Sequence, residues 1–201
     1  MGALNIFDIL SIKNKHNLNI FVETGTGIGS SLVHTLEITK PSSFDKYYSI
    51  EISKNLYERC LFIPEKYNNQ SVKILNDTSV SGLETILQEV SSDKNIFFWL
   101  DAHFPDADHN FASYTSTQNK SLRIPLEEEI QLIKKYRNNS KDFFIIDDLR
   151  IYEDGDYEGG NWKDRVDYGG SGIQFIYDAF ENSHDIIKLN NGEGYVVLQP
   201  K

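Results

Sequence analysis

Phe21-Val22-Glu23-Thr24-Gly25-Thr26-Gly27-Ile28-Gly29-Ser30-Ser31 is the stretch on which the fold turns. An apolar run, Ile20 to Val22, ends in an acid, three glycines follow at alternate positions, and an amphipathic segment then begins. That order reads as strand, tight turn and helix. Glycines permit positive φ and close backbone approach, so such a turn and the helix N-terminus after it can offer amide donors to a polar ligand. The run is G-x-G-x-G, and Ser30 stands where a dinucleotide fingerprint needs its third glycine, which argues against NAD.

Outward from this turn the same rhythm recurs. Ile6, Ile9, Leu10 and Ile12 have helical spacing, which predicts a helical cover over residues 1–19. Ser30 to Ile38 reads as the first crossover helix, ended by Pro41, and Tyr47 to Glu51 as the second strand. Ser53 is placed to cap a helix carrying Leu56, Cys60 and Leu61. Ser71 to Leu75 is the third strand, followed by a helix with Leu83, Ile86, Leu87 and Val90. Asn95 to Leu100 is apolar without alternation, as in a strand buried on both faces. Pro125 opens a helix with Leu126, Ile130 and Ile133 on one face, Phe143 to Ile146 is the fifth strand, and Ile173 to Phe180 the last helix. Asn190 to Gly194 reads as the turn of a hairpin joining Asp185–Leu189 to Tyr195–Leu198. The expectation is a single α/β domain over 1–201: a Rossmann-like, doubly wound sheet of seven strands, mostly parallel, with one antiparallel strand from the C-terminal hairpin. Two polar loops, 105–123 and 152–172, interrupt the rhythm as lid or substrate loops.

Composition narrows the function classes. Hydrophobic residues make up 39% and charged residues 25%, an ordinary globular mixture. No apolar span has membrane length and no secretory leader pattern is visible, so a cytoplasmic protein without membrane contact is expected. The single cysteine, Cys60, excludes an internal disulfide framework and reads as a small buried hydrophobe. A net charge of −10 argues against sequence-independent nucleic-acid binding, which needs clustered cations. The expected partner is a small-molecule substrate; a homo-oligomer is compatible with the sequence.

Glu23-Thr24-Gly25-Thr26-Gly27-Ile28-Gly29, followed by acidic Glu51 at the end of the next apolar run, resembles the first two cofactor motifs of class I S-adenosylmethionine-dependent methyltransferases. The seven-strand pattern with its terminal hairpin is similar to that superfamily along nearly the whole chain. The resemblance implies S-adenosylmethionine as cofactor, held by Glu23, Thr24, Gly25, Gly27, Gly29 and Ser30, with Glu51 on the ribose hydroxyls. It further places Asp77 and Thr78 at the adenine, although Asp77 also suits an N-cap.

Every one of the five parallel strand ends carries a carboxylate: Glu23, Glu51, Asp77, Asp101 and the Asp147-Asp148 pair. In an open α/β sheet ligands bind beyond these ends. Asp101, Asp147 and Asp148 suit a hard divalent cation such as Mg²⁺, and the sequence is similar here to metal-dependent O-methyltransferases. Asp147 or Asp148 bound to Arg150 is the structural alternative. His103, two residues past Asp101, is expected as catalytic base beside Asp101, as the resemblance to sugar-modifying enzymes also suggests; a loop histidine hydrogen-bonded to Asp101 is the alternative. His109 reads as exposed. Tyr157, Trp162 and Tyr168 are candidate substrate aromatics in the second loop. The leading expectation is metal-assisted O-methylation of a small hydroxylated substrate such as a sugar, phenol or secondary metabolite. A metal-independent N- or O-methyltransferase and a non-catalytic nucleotide-binding or scaffolding protein stand as alternatives.

Overall fold

A computed structural model describes residues 3–67, 71–107, 109, 111–137 and 141–201. In chain order the elements are α1 (Ile9–Lys15), β1 (Ile20–Thr24), α2 (Ser30–Ile38), β2 (Lys46–Glu51), α3 (Lys54–Cys60), α4 (Phe62–Lys66), β3 (Val72–Asn76), α5 (Ser79–Glu89) and β4 (Ile96–Leu100). They continue with α6 (Lys120–Arg123), α7 (Leu126–Tyr136), β5 (Phe143–Ile146), α8 (Arg165–Tyr168), α9 (Gln174–Phe180), β6 (His184–Leu189) and β7 (Tyr195–Pro200).

The seven strands form one sheet in the order β3-β2-β1-β4-β5-β7-β6. β1 pairs in parallel with β2 on one side and β4 on the other, so strand order reverses between β1 and β4. That is where an open α/β sheet places its ligand crevice. β7 runs antiparallel to both β5 and β6 and is the one antiparallel strand, as the hairpin reading requires.

β4 explains why its sequence does not alternate. All five residues are buried, with Phe98 and Leu100 in the core on one sheet face and Phe97 and Trp99 in the core on the other. Phe98 stacks on Phe144 at 4.8 Å between centroids, while Phe97 stacks on Phe21 and Phe143 at 5.7 Å each. Aromatic ladders on both faces pin β1, β4 and β5 side by side, which brings the ends of these three strands together.

The structure differs from the sequence reading in local detail. The helix expected after β2 is divided at Leu61 into α3 and α4, because Pro64 has no N–H and its ring would clash with the carbonyl of Cys60 in a continuous helix. Ser53 occupies the N-cap position without a side-chain cap bond; its backbone N–H donates to Glu51 instead. Each of the two long loops carries a short helix, α6 and α8. Among the described residues no helix is long and apolar enough to cross a membrane.

Candidate functional site

The turn after β1 is shaped by what its glycines allow. Gly25 has φ +79°, and a Cβ there would lie 2.5 Å from the Asp101 carbonyl oxygen, so only glycine lets the ends of β1 and β4 approach this closely. The Gly25 and Thr26 amides donate to the Ile50 carbonyl, tying the turn to β2. The Gly27 amide donates to Glu51 Oε2 at 2.7 Å and the Ser53 amide to Oε1 at 2.8 Å. Glu51 is thus fixed by two backbone donors at the rim of the turn. Burial nevertheless raises its pKa.

Glu23 supports the turn from beneath. It is fully buried and accepts from Ser31 Oγ and Ser49 Oγ, both at 2.6 Å. Burial pushes its carboxyl up to about 8, against the two hydroxyl donors that favour the charged form. Above the turn opens a cavity of ≈ 340 Å³, bordered by the glycine turn, the ends of β2 and β4, and the start of the 105–123 loop.

A second cluster stands at the β4 and β5 ends. His103 Nε2 lies 3.1 Å from Asp101 Oδ1 and 2.9 Å from Asp148 Oδ2. These three residues can each bring one ligand atom to a common point. The backbone arranges this: the Asp147 amide still bonds the Leu100 carbonyl, and the next residue, Asp148, turns into the left-handed region at φ 55°, ψ 48°. The strand breaks at Asp148, one residue beyond the pair's first member. Arg150 Nε lies 3.3 Å from the other Asp148 oxygen. Burial works to raise the Asp148 carboxyl, but His103 and Arg150 outweigh it and hold it below the usual range. For His103 the same competition runs the other way: burial would lower its pKa, yet Asp148 and Asp101 hold it well above the ordinary imidazole value.

Asp147 does not join the group formed by Asp101, His103 and Asp148. Its carboxyl is buried in a small recess with Glu129 and Tyr152 and is pushed well above the usual range by burial and by the charges of Asp101 and Asp148. Glu129 is likewise buried, and burial raises it to about 7.

Of the residues expected to hold a cofactor, Gly25, Gly27, Ser30, Glu51 and Thr78 border the cavity. Glu23, Thr24, Gly29 and Asp77 do not border it. Asp77 accepts from the Thr78 amide and Ser81 Oγ, while the N-cap of α5 is Thr78, whose Oγ1 accepts from the Ser81 amide, so Asp77 supports the cap from the position before it and is not the N-cap itself. None of Tyr157, Trp162 and Tyr168 borders the cavity. Tyr157 is buried against Gly155 and Gly194. Trp162 packs on Phe104 at 4.8 Å between centroids, and Tyr168 lies beneath the Arg123 guanidinium. These rings brace the loops, because each finds an apolar or cationic partner before it reaches the open space.

The sequence reading missed three contributors. His109 borders the cavity, with Nε2 2.9 Å from where a Gly27 Cβ would stand, so it is half-buried instead of exposed. His34, one turn beyond Ser30 on α2, also borders it. Glu129 was legible only as an acid on the apolar stripe of Leu126, Ile130 and Ile133.

No protein-family model matches the chain, and no curated protein matches it. Solved structures do. It is similar to an O-methyltransferase from Bacillus cereus in complex with S-adenosylhomocysteine, at TM-score 0.61 and 15% identity over 100% of this chain and 83% of that one. It is similar to the O-methyltransferase TomG from Streptomyces achromogenes, involved in tomaymycin synthesis and in complex with S-adenosylmethionine, at TM-score 0.61 and 12% identity over 100% and 82%. An rRNA methylase from Streptococcus thermophilus matches at TM-score 0.55 and 13% identity over 100% and 98%. The fold of this chain is that of the class I S-adenosylmethionine-dependent methyltransferases.

Proposed function

We propose that the chain is an S-adenosylmethionine-dependent methyltransferase, acting on a hydroxyl oxygen of a small molecule with the help of a divalent cation. The observation that carries the reading is the adjacency of two sites: a cavity rimmed by the glycine turn and Glu51, and an Asp101–His103–Asp148 group at its β4 side. Similar folds hold S-adenosylmethionine or its demethylated product. Glu51, anchored by two amides, keeps lone pairs for a pair of vicinal hydroxyls. The turn and the N-terminus of α2 offer amide donors to the polar tail of the same ligand.

For the cation, the donor set fits: two carboxylate oxygens and one imidazole nitrogen converge. A cation bound there would lower the pKa of a coordinated hydroxyl. With no cation bound, Asp101 and Asp148 favour the protonated imidazole of His103; a cation at the group would offset those charges and leave its ring free to ligate or to accept a proton.

Calorimetry with S-adenosylhomocysteine tests the reading. Binding is expected, and Glu51→Ala should weaken it by at least about tenfold, the scale of losing one charge-assisted contact and the order of the turn. No heat of binding with the intact chain would overturn it.

A further inference from the structure

His103 lies just past β4 and Asp148 just past β5, and one of the two long loops begins shortly after each. Whatever ties the loops together therefore also bears on the distance between these two side chains. Phe104, the residue after His103, has φ +39°, in the left-handed region that bulky side chains avoid, and Asp106 follows at φ +67°. Backbone strain of this kind persists only where the surroundings over-determine it, and it collects at sites that must hold a geometry.

The surroundings of Phe104 do over-determine it. The side chain is buried, its amide donates to the Arg123 carbonyl at 2.7 Å, and its carbonyl accepts from the Ala107 amide at 3.0 Å. Its ring centroid lies 5.8 Å from that of His103, 5.3 Å from Tyr114 of the first loop and 4.8 Å from Trp162 of the second. A second tie runs through Arg123, whose Nε donates to the Tyr168 carbonyl at 2.9 Å and whose Nη1 donates to the Thr117 carbonyl at 3.0 Å. Beyond Tyr168 the second loop returns to the residues that follow Asp148: the Gly170 amide donates to the Ile151 carbonyl and the Gly172 amide to the Tyr152 carbonyl. The ties thus run from His103 through both loops and back to Asp148.

We infer that Phe104 is a positioning residue: clasped by Tyr114 and Trp162, it locks the two loops together and thereby holds His103 against Asp148 in the arrangement that a divalent cation uses. The inference rests on the cation reading of the Asp101–His103–Asp148 group for what is positioned, and on the ring contacts and the backbone for how. Trp162 brings no donor to that group, and the rings it meets are those of Phe104 and Tyr114. It acts on the cation through Phe104 alone. Docking of the second loop and uptake of the cation are then coupled, and the factor by which a loosened clasp weakens the cation equals the factor by which the cation tightens the clasp. Trp162 does not border the cavity, so a ligand held at the glycine turn and Glu51 stands outside this coupling.

The test compares the parent with Trp162→Leu and with Trp162→Phe, which keeps a ring at the clasp. Mn²⁺ affinity is read by calorimetry. Amide exchange is read by NMR at Phe104, at Ile151, whose amide donates to the Asp148 carbonyl, and at Gly27, whose amide donates to Glu51 and serves as the control outside the clasp. Trp162→Leu is expected to weaken Mn²⁺ about tenfold and to speed exchange at Phe104 and Ile151 about as much, with Gly27 unchanged. Trp162→Phe should restore most of both. An unchanged Mn²⁺ affinity in Trp162→Leu overturns the inference, as does faster exchange at all three amides alike, which is general loosening. A parent that takes up no Mn²⁺ refutes the cation reading separately, and exchange then decides the clasp: protection lost at Phe104 and Ile151 but not at Gly27 upholds it, and protection kept at Phe104 overturns it.

Discussion

Glu23 illustrates how one residue can look like a ligand in sequence and act as a foundation in the fold. An acid just before a glycine turn suggests contact with a ligand's ammonium group, but its two oxygens are taken by Ser31 and Ser49. Its burial has a thermodynamic consequence. The folded-state pKa of about 8 lies above the ordinary 4.5, so between these values the unfolded chain ionises while the native chain keeps the proton. Stability from this group is therefore fully present below about pH 4.5 and declines as pH rises toward 8. Glu23→Gln removes the titration and keeps the shape. Urea unfolding between pH 5 and 8 should show the variant gaining on the parent by up to a few kcal/mol as pH rises, and parallel curves would refute the assignment. Asp148 makes the complementary case. Its left-handed backbone aims it at His103, and Asp148→Asn should abolish any rise in melting temperature that Mg²⁺ or Mn²⁺ produces in the parent. A variant that responds to these ions as the parent does would remove Asp148 from the cation group.

At the scale of elements, much was legible because periodicity reports burial. The five-residue apolar run of β4, the alternate glycines and the closing hairpin were each enough to place a strand, a turn and a topology. Proximity across elements was less accessible. Nothing local to His103 says that Asp148, a strand away, lies 2.9 Å from it, because that contact depends on the strand breaking at Asp148 and not at Asp147. Likewise Trp162 and Tyr168 read as free aromatics until the loops pack and Phe104 and Arg123 claim them. The short helices α6 and α8 lie in polar loops with too few residues for a hydrophobic period. The contact between β1 and β4 at Gly25 can be tested as an element-level feature. Gly25→Ala must strain a positive φ and push a methyl into the Asp101 carbonyl. A loss of about 1–3 kcal/mol is expected in chemical denaturation, together with weaker S-adenosylhomocysteine binding. An unchanged midpoint would show that the two strand ends can part without cost.

The whole molecule couples these local features through its charge. It carries a net charge of −10 and gathers several carboxyls, Glu51, Asp101, Asp147, Asp148 and Glu129, around one end of the sheet. Like charges this close oppose folding, and part of the opposition is relieved by keeping protons: Asp147 is raised by burial first and by the charges of Asp101 and Asp148 second, and Glu129 by burial. Any ligand that binds the native cavity and not the unfolded chain must then stabilise the entire fold, by about 2.7 kcal/mol at a hundred times its dissociation constant. For a chain of this length each kcal/mol moves the melting temperature by roughly 2–4 °C. S-adenosylhomocysteine at that excess should therefore raise it by about 5–11 °C. NAD at the same concentration should leave it unmoved, because Ser30 replaces the third glycine of the dinucleotide fingerprint, the one needed for close packing of helix on strand. Differential scanning fluorimetry decides between them. A shift with NAD and none with S-adenosylhomocysteine would mean that the glycine turn, though folded as described, serves a different nucleotide.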